Sequence, residues 1–159
     1  MDLTIEKRTR ARRTRKYLEQ ILGACKRVEK IEAELDELRS GQIAGIAFDD
    51  VRVQSSGNGG LDQKVIRIME YEAIVDCEKT TLLTAINKIK KELTFVHDLE
   101  KRDLLSDRYI RRKKWDEIEK SFYGDRSTMY RRHDEALLDF YDANKDAVEE
   151  FMSYHESCD

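Results

Sequence analysis

Apolar residues recur along the first part of the chain at alternating steps of four and three: Tyr17, Ile21, Ala24, Val28, Ile31, Leu35 and Leu38. This is the 3.5-residue repeat of a coiled-coil seam, and it predicts a helix from about Thr9 to Arg39. Glu29, Glu32, Glu34, Asp36 and Glu37 fill other positions with charge. A second seam, Val65, Ile68, Val75, Leu82, Ile86, Ile89, Leu93 and Val96, fits one heptad frame, with Glu72 and Lys79 at two of its positions. It predicts a helix from about Leu61 to His97. Between the two, Ser40–Gly60 breaks the period and carries Gly41, Gly45, Gly57, Gly59 and Gly60 with Ser55, Ser56 and Asn58. That composition predicts a loop. A loop of this length lets the helices fold back as an antiparallel hairpin, and either seam equally suits pairing with a second chain.

From Leu99 onward the heptad is lost. Leu104, Leu105 and Tyr109, then Trp115, Ile118 and Phe122, then Met129, Ala136, Leu137 and Phe140 come in short bursts. The spacing predicts a small bundle of short helices. Val148, Phe151 and Met152 continue a helical face, so the last helix is expected to run on to about Tyr154. The fold class is therefore all-α. Residues 1–98 form a helical hairpin or coiled-coil domain with a loop at 40–60, and residues 99–159 form a C-terminal module.

Composition sharpens this picture. The chain is 40% charged yet 40% hydrophobic, with no proline and only seven glycines among 159 residues. Such a chain suits long exposed helices and excludes a turn-rich β-sandwich. The longest stretches without Asp, Glu, Lys or Arg, Ser40–Phe48 and Val53–Leu61, are nine residues each. A membrane span needs about 20 apolar residues, so none is expected. The basic N-terminus has no apolar run after it and does not read as a secretory signal. Cys25, Cys77 and Cys158 are scattered, which reads as reduced thiols in a cytoplasmic protein, with Cys25 and Cys77 on apolar faces. His97, His133 and His155 are isolated and make no metal site, His97 and His155 reading as surface and His133 as a half-buried packing residue. No phosphate-cradling lysine follows Ser55–Gly60, and no nucleophile elbow is present, so an enzyme is not expected and no cofactor is implied.

The net charge of -3 hides a strong segregation. Lys7–Lys16 holds seven basic residues and no acid; Glu100–His133 holds eleven basic against seven acidic; Asp134–Asp159 holds one basic against nine acidic. The basic stretches hint at nucleic-acid contact, with a separate acidic face. The informative segment is Trp115–Met129. Trp115, Ile118 and Phe122 make one face of a two-turn helix; Gly124 permits a sharp turn; Asp125 suits the N-cap of a following helix, bonding the N–H of Ser127 or Thr128. Helix, short turn, and a longer helix with a basic first half is helix-turn-helix organisation. With Met129 and Ala136 inward, Arg126, Ser127, Thr128, Tyr130 and Arg131 are placed to read bases in a major groove. Arg111, Arg112, Lys113, Lys114 and Arg132 are placed to hold phosphates.

Leu104-Leu105, Arg108-Tyr109-Ile110, Trp115-Asp-Glu-Ile118, Ser127-Thr-Met-Tyr-Arg131 and Ala136-Leu137 resemble the region-4-type helix-turn-helix of sigma factors. The resemblance is closer to the small regulators of Gram-positive phages and prophages, the ArpU/RinA type of late-gene activator and related phage proteins. It covers Leu99–Phe140 firmly and the rest loosely. Three positions depart from the pattern: Glu119 replaces a small residue, Tyr123 stands at the turn glycine with Gly124 one place later, and His133 replaces an inward aliphatic. The resemblance implies a DNA-binding transcription regulator in a bacterial host cell, working beside RNA polymerase, with the coiled-coil half as a homodimer or partner surface. Two alternatives stay open: a small-terminase-like DNA-packaging subunit, and a protein-interaction module that does not bind DNA.

Overall fold

The computed structural model describes residues 3–48 and 59–157, and these are largely helical with no strand among them. Helix α1 is Leu3–Phe48, α2 is Gly59–Leu93 and α3 is Leu99–Leu105. A π-helical turn, Ser106–Ile110, extends α3; α4 is Trp115–Ser121, α5 is Arg126–Ala143 and α6 is Lys145–Glu156. No helix among the described residues is long and apolar enough to cross a membrane.

Two expected boundaries move. Helix α1 does not stop at Arg39: it continues through Ser40–Phe48, where a loop is expected. A glycine inside a helix costs only about 1 kcal/mol, and the Ile and Ala residues around Gly45 keep helical preference enough to carry the run. Of the rest of the expected loop, 49–58 lies outside the described residues, and Gly59 and Gly60 open α2. The expected single last helix is broken at Asn144, which separates α5 from α6. Asn144 has φ -132° and ψ 34°, and its side-chain amide donates to the carbonyls of Phe140 and Glu92, both at 3.2 Å. A contact to α2 thus holds a residue out of helical geometry.

The chain forms two compact units, and they do not follow the division at residue 98. One is Ala24–Leu83; the other joins Met1–Gly23 to Thr84–Asp159. In the first, α1 and α2 run antiparallel within one chain. Arg27 pairs with Glu78 at 3.5 Å, Lys79 with Glu32 at 2.5 Å, and Arg39 with Glu72 at 2.6 Å. The two polar seam positions, Glu72 and Lys79, are therefore partners of α1. Ala24, Cys25, Val28, Leu35 and Val75 are buried, whereas Val65 is exposed despite its heptad position. Cys77 is exposed too, although the sequence sets it on an apolar face, while Cys25, set on such a face as well, is buried.

The second unit holds the larger core. Tyr17, Leu18 and Ile21 of α1 and Ile89 and Leu93 of α2 are buried, as are Leu105, Tyr109, Leu137, Phe140 and Val148. The Tyr17 ring meets Phe151 edge-on at 5.3 Å and lies 6.1 Å from Phe140. Its hydroxyl donates to the buried Glu92 carboxylate, at 2.9 and 2.8 Å from the two oxygens. Burial raises the Glu92 carboxyl above its ordinary range against the opposing pull of that bond. Arg102 braces the turn that follows α2, donating to the carbonyl of Val96 at 2.7 Å. Lys101 ties α3 to α5 through Asp139 at 2.7 Å.

Candidate nucleic-acid interface

Helix α4 begins where the backbone N–H of Lys114 donates to the Glu117 carboxylate at 2.7 Å. It ends in a short turn that carries Gly124 at φ +146°, a value side-chain-bearing residues rarely adopt. A Cβ there would stand 3.1 Å from Phe122 Cε1. Asp125 then caps α5, accepting from the Thr128 N–H at 2.7 Å. Hydrogen bonds from Thr128 hold its carboxyl below the usual range. Leu104, Ile118 and Met129 are buried together, with Trp115 and Phe122 packed against them, and this cluster fixes α4 against α5.

His133 completes the packing and is buried, where its sequence position suggests only half-burial. Its Nε2 lies 3.1 Å from the Tyr109 hydroxyl, and its ring meets Trp115 edge-on at 4.9 Å. Burial, with help from the charges of Arg15 and Arg108, pushes its pKa down to about 3. The ring is therefore neutral at ordinary pH. Burial also pushes the Tyr109 hydroxyl up.

The residues placed for base reading divide around α5. At 100° per residue, Arg126, Tyr130, Ser127 and Arg131 fall within one arc of about 140°. Thr128 and Arg132 fall outside it. Ser127 and Arg131 are exposed, and neither has an ion pair with a described residue. Arg126 is half-exposed and engaged: its guanidinium lies 3.3 Å from Asp116 and 3.4 Å from Glu119, and 5.8 Å from the Tyr130 ring centre. Tyr130 in turn leans on Trp115 at 5.0 Å. Glu119, where a small residue is expected, thus serves as an anchor for the first residue of α5.

The residues placed for phosphate contact are less uniform. Arg111 and Lys113 both bond the Asp107 carboxylate, Lys113 at 2.8 Å. Partial burial raises that carboxyl, but the Lys113 and Arg111 bonds outweigh it and hold it below its ordinary range. The two cations brace the connector against the π-helical turn. Arg112 sits between them at φ 57°, the left-handed region, and is exposed, as is Lys114. Arg132 bonds Glu135 at 3.2 Å on the flank of α5 that also meets Lys101 of α3. It does not join the arc of Ser127 and Arg131. Sequence reasoning misses two exposed residues: Tyr123, fully exposed in the turn, and Lys120 near the end of α4. An aromatic residue next to a turn glycine is the available signal for Tyr123.

The segregated charges also meet. Arg13 pairs with Glu149 and, at 3.8 Å, with Glu156; Arg10 lies 3.6 Å from Asp142; Arg15 lies 3.1 Å from Asp134. Part of the basic run of α1 is thus neutralised by the acidic end of the chain. Comparison with known protein families, with curated proteins and with solved structures finds no match to this chain.

Proposed function

We propose that the chain is a sequence-specific duplex-DNA-binding transcription regulator of the phage or prophage type, with α4 and α5 acting as a helix-turn-helix. The observation that carries this reading is the capped turn at Gly124 and Asp125, followed by Ser127 and Arg131 exposed on one stripe of a rigidly packed helix. Arginine donates two parallel hydrogen bonds to guanine O6 and N7, and serine bonds a base edge or a phosphate. Arg126 reaches a base only by leaving Asp116 and Glu119, so Arg131 and Ser127 carry the first contacts. RNA polymerase is the partner that the sequence resemblance suggests.

Selection of duplexes from a random pool, followed by fluorescence anisotropy at two salt concentrations, tests the proposal. One enriched motif is expected, bound less tightly at higher salt and lost in Ser127→Ala/Arg131→Ala while helicity is kept. No binding at any salt would sink it and favour the interaction module, a reading supported by the pairing of Arg126 with two acids of α4. The packaging reading draws on Val65, Ile66, Met69 and Ile74, apolar residues exposed on α2. A ring-sized assembly in light scattering would favour it over a monomer or dimer.

A further inference from the structure

The seven cations of Lys7–Lys16 divide into three that are paired with acids and four that have no ion pair with a described residue. Arg10, Arg13 and Arg15 point at acids of α5 and α6. Lys7, Arg8, Arg12 and Lys16 are exposed and have no ion pair with a described residue. Arg8, Arg12 and Lys16 follow at steps of four, so they form a row along α1 with neighbours about 6 Å apart in rise. The row lies on the side of α1 opposite the buried Tyr17 and Ile21.

The position of that row relative to α5 is set by a shallow groove. Lys7, Arg8, Ala11, Arg12 and Arg15 line one wall, and Asp134 and Leu138 line the other. Ser127, Arg131, Asp134 and Leu138 are spaced four, three and four, a single stripe of α5. The groove therefore opens on the same face of α5 as Ser127 and Arg131, with Arg131 about 10 Å along the helix from Leu138. The acids near the groove are few. Asp134 is engaged by Arg15, and Glu19 is the exposed acid one turn beyond the row.

We infer that Arg8, Arg12 and Lys16 form a second DNA contact, which holds backbone phosphates of the same duplex that receives α5. This rests on the DNA reading above and adds a non-sequence-reading arm to it. Duplex DNA carries one negative charge per about 1.7 Å of axis, so a row about 12 Å long meets several phosphates. Arg10 and Arg13 are taken up by acids of α5 and α6, and Arg15, on the same face as the row, is held by Asp134 near the middle of α5. The three cations of the row have no core contact that explains three positive charges in line.

The experiment uses the full chain and the selected duplex, with anisotropy titrations from about 50 to 200 mM salt. Each phosphate contact adds about 0.9 to the slope of log affinity against log salt. The variant Arg8→Ala/Arg12→Ala/Lys16→Ala is expected to lower that slope by about 2.7, so its affinity falls about 40-fold less across the range. It keeps the same motif preference and the same helicity. Arg8→Lys/Arg12→Lys is expected to keep the wild-type slope, which a purely structural role of the guanidinium groups would not guarantee. The reverse pattern, lost preference, belongs to Ser127→Ala/Arg131→Ala. A triple-alanine variant with the wild-type slope overturns the inference and leaves the DNA reading standing. A wild-type chain that binds no duplex overturns both.

Discussion

Replacing His133 by Gln removes a titrating ring from the core and keeps an acceptor for the Tyr109 hydroxyl. In the folded chain the ring has a pKa of about 3, against roughly 6.5 in an unfolded chain. The folded state thus refuses a proton that the unfolded state accepts. Stability is complete above the unfolded value and falls as the pH drops from about 6.5 toward 3. Each tenfold difference in proton affinity between the two states is worth about 1.36 kcal/mol, so full titration is worth about 5 kcal/mol. Between pH 7 and pH 5 the loss is about 2 kcal/mol, which is a large part of an ordinary stability of about 5–15 kcal/mol. The charges that face the ring are Arg15 and Arg108, which oppose protonation, and Asp134. The Asp134 carboxylate is 3.8 Å from Nδ1 but is largely exposed and already paired with Arg15, so it offsets little. The assay is urea denaturation of wild type and His133→Gln at pH 7, 6 and 5, read as the change in their difference. Every carboxylate is the same in both chains, so their contributions cancel. The variant is expected to start less stable, having lost the Trp115 contact, and to recover about 2 kcal/mol relative to wild type by pH 5. Curves that stay parallel would refute the assignment of a buried neutral imidazole.

Two further outcomes follow from the packing. Gly124→Ala puts a Cβ at φ +146° and 3.1 Å from the Phe122 ring, and is expected to cost about 1–3 kcal/mol in thermal or urea denaturation; an unchanged midpoint would mean the turn has another geometry. Tyr17→Phe removes the hydroxyl that donates to the buried Glu92 and is expected to cost about 1.5–3 kcal/mol at pH 7. The loss should shrink as the pH is lowered, since the Glu92 carboxyl, already raised by burial, then takes up a proton; a pH-independent loss would assign the cost to packing alone.

The all-helical class, the two heptad seams and the Gly124–Asp125 turn are legible in the sequence because each is written in local spacing, whereas the antiparallel pairing of the seams within one chain is not. The features that are not legible depend on distance along the chain. Nothing near Asn144 marks a helix break, since its partner is a carbonyl of Glu92, 52 residues away. The pairing of Arg13 with Glu149 spans 136 residues, so the basic run and the acidic end look like independent features. Ser40–Phe48 departs from expectation for a different reason: glycine content suggests a loop, but two glycines are too small a penalty to stop a helix already formed. At the candidate site, local rules place Ser127 and Arg131 on the exposed side of α5, as the structure has them. They cannot find that Arg126 is held by Asp116 and Glu119, because that contact exists only once α4 and α5 are packed.

The salt bridges of Arg10 and Arg13 to the acidic end have an effect beyond stability. They gather Asp142, Glu149 and Glu156 on one side of α1 while Arg8, Arg12 and Lys16 stay on another. Asp146 and Glu150 of α6 are exposed and have no ion pair with a described residue, so this compact unit carries opposite charges on different sides. A polyanion arriving within a Debye length, about 8 Å at physiological salt, exerts a torque on it before any atom touches. Collisions with the acidic side are turned away, and those with the cationic side are drawn in. On the DNA reading proposed above, the acidic side works as a rudder, setting which way the protein faces the duplex as it arrives.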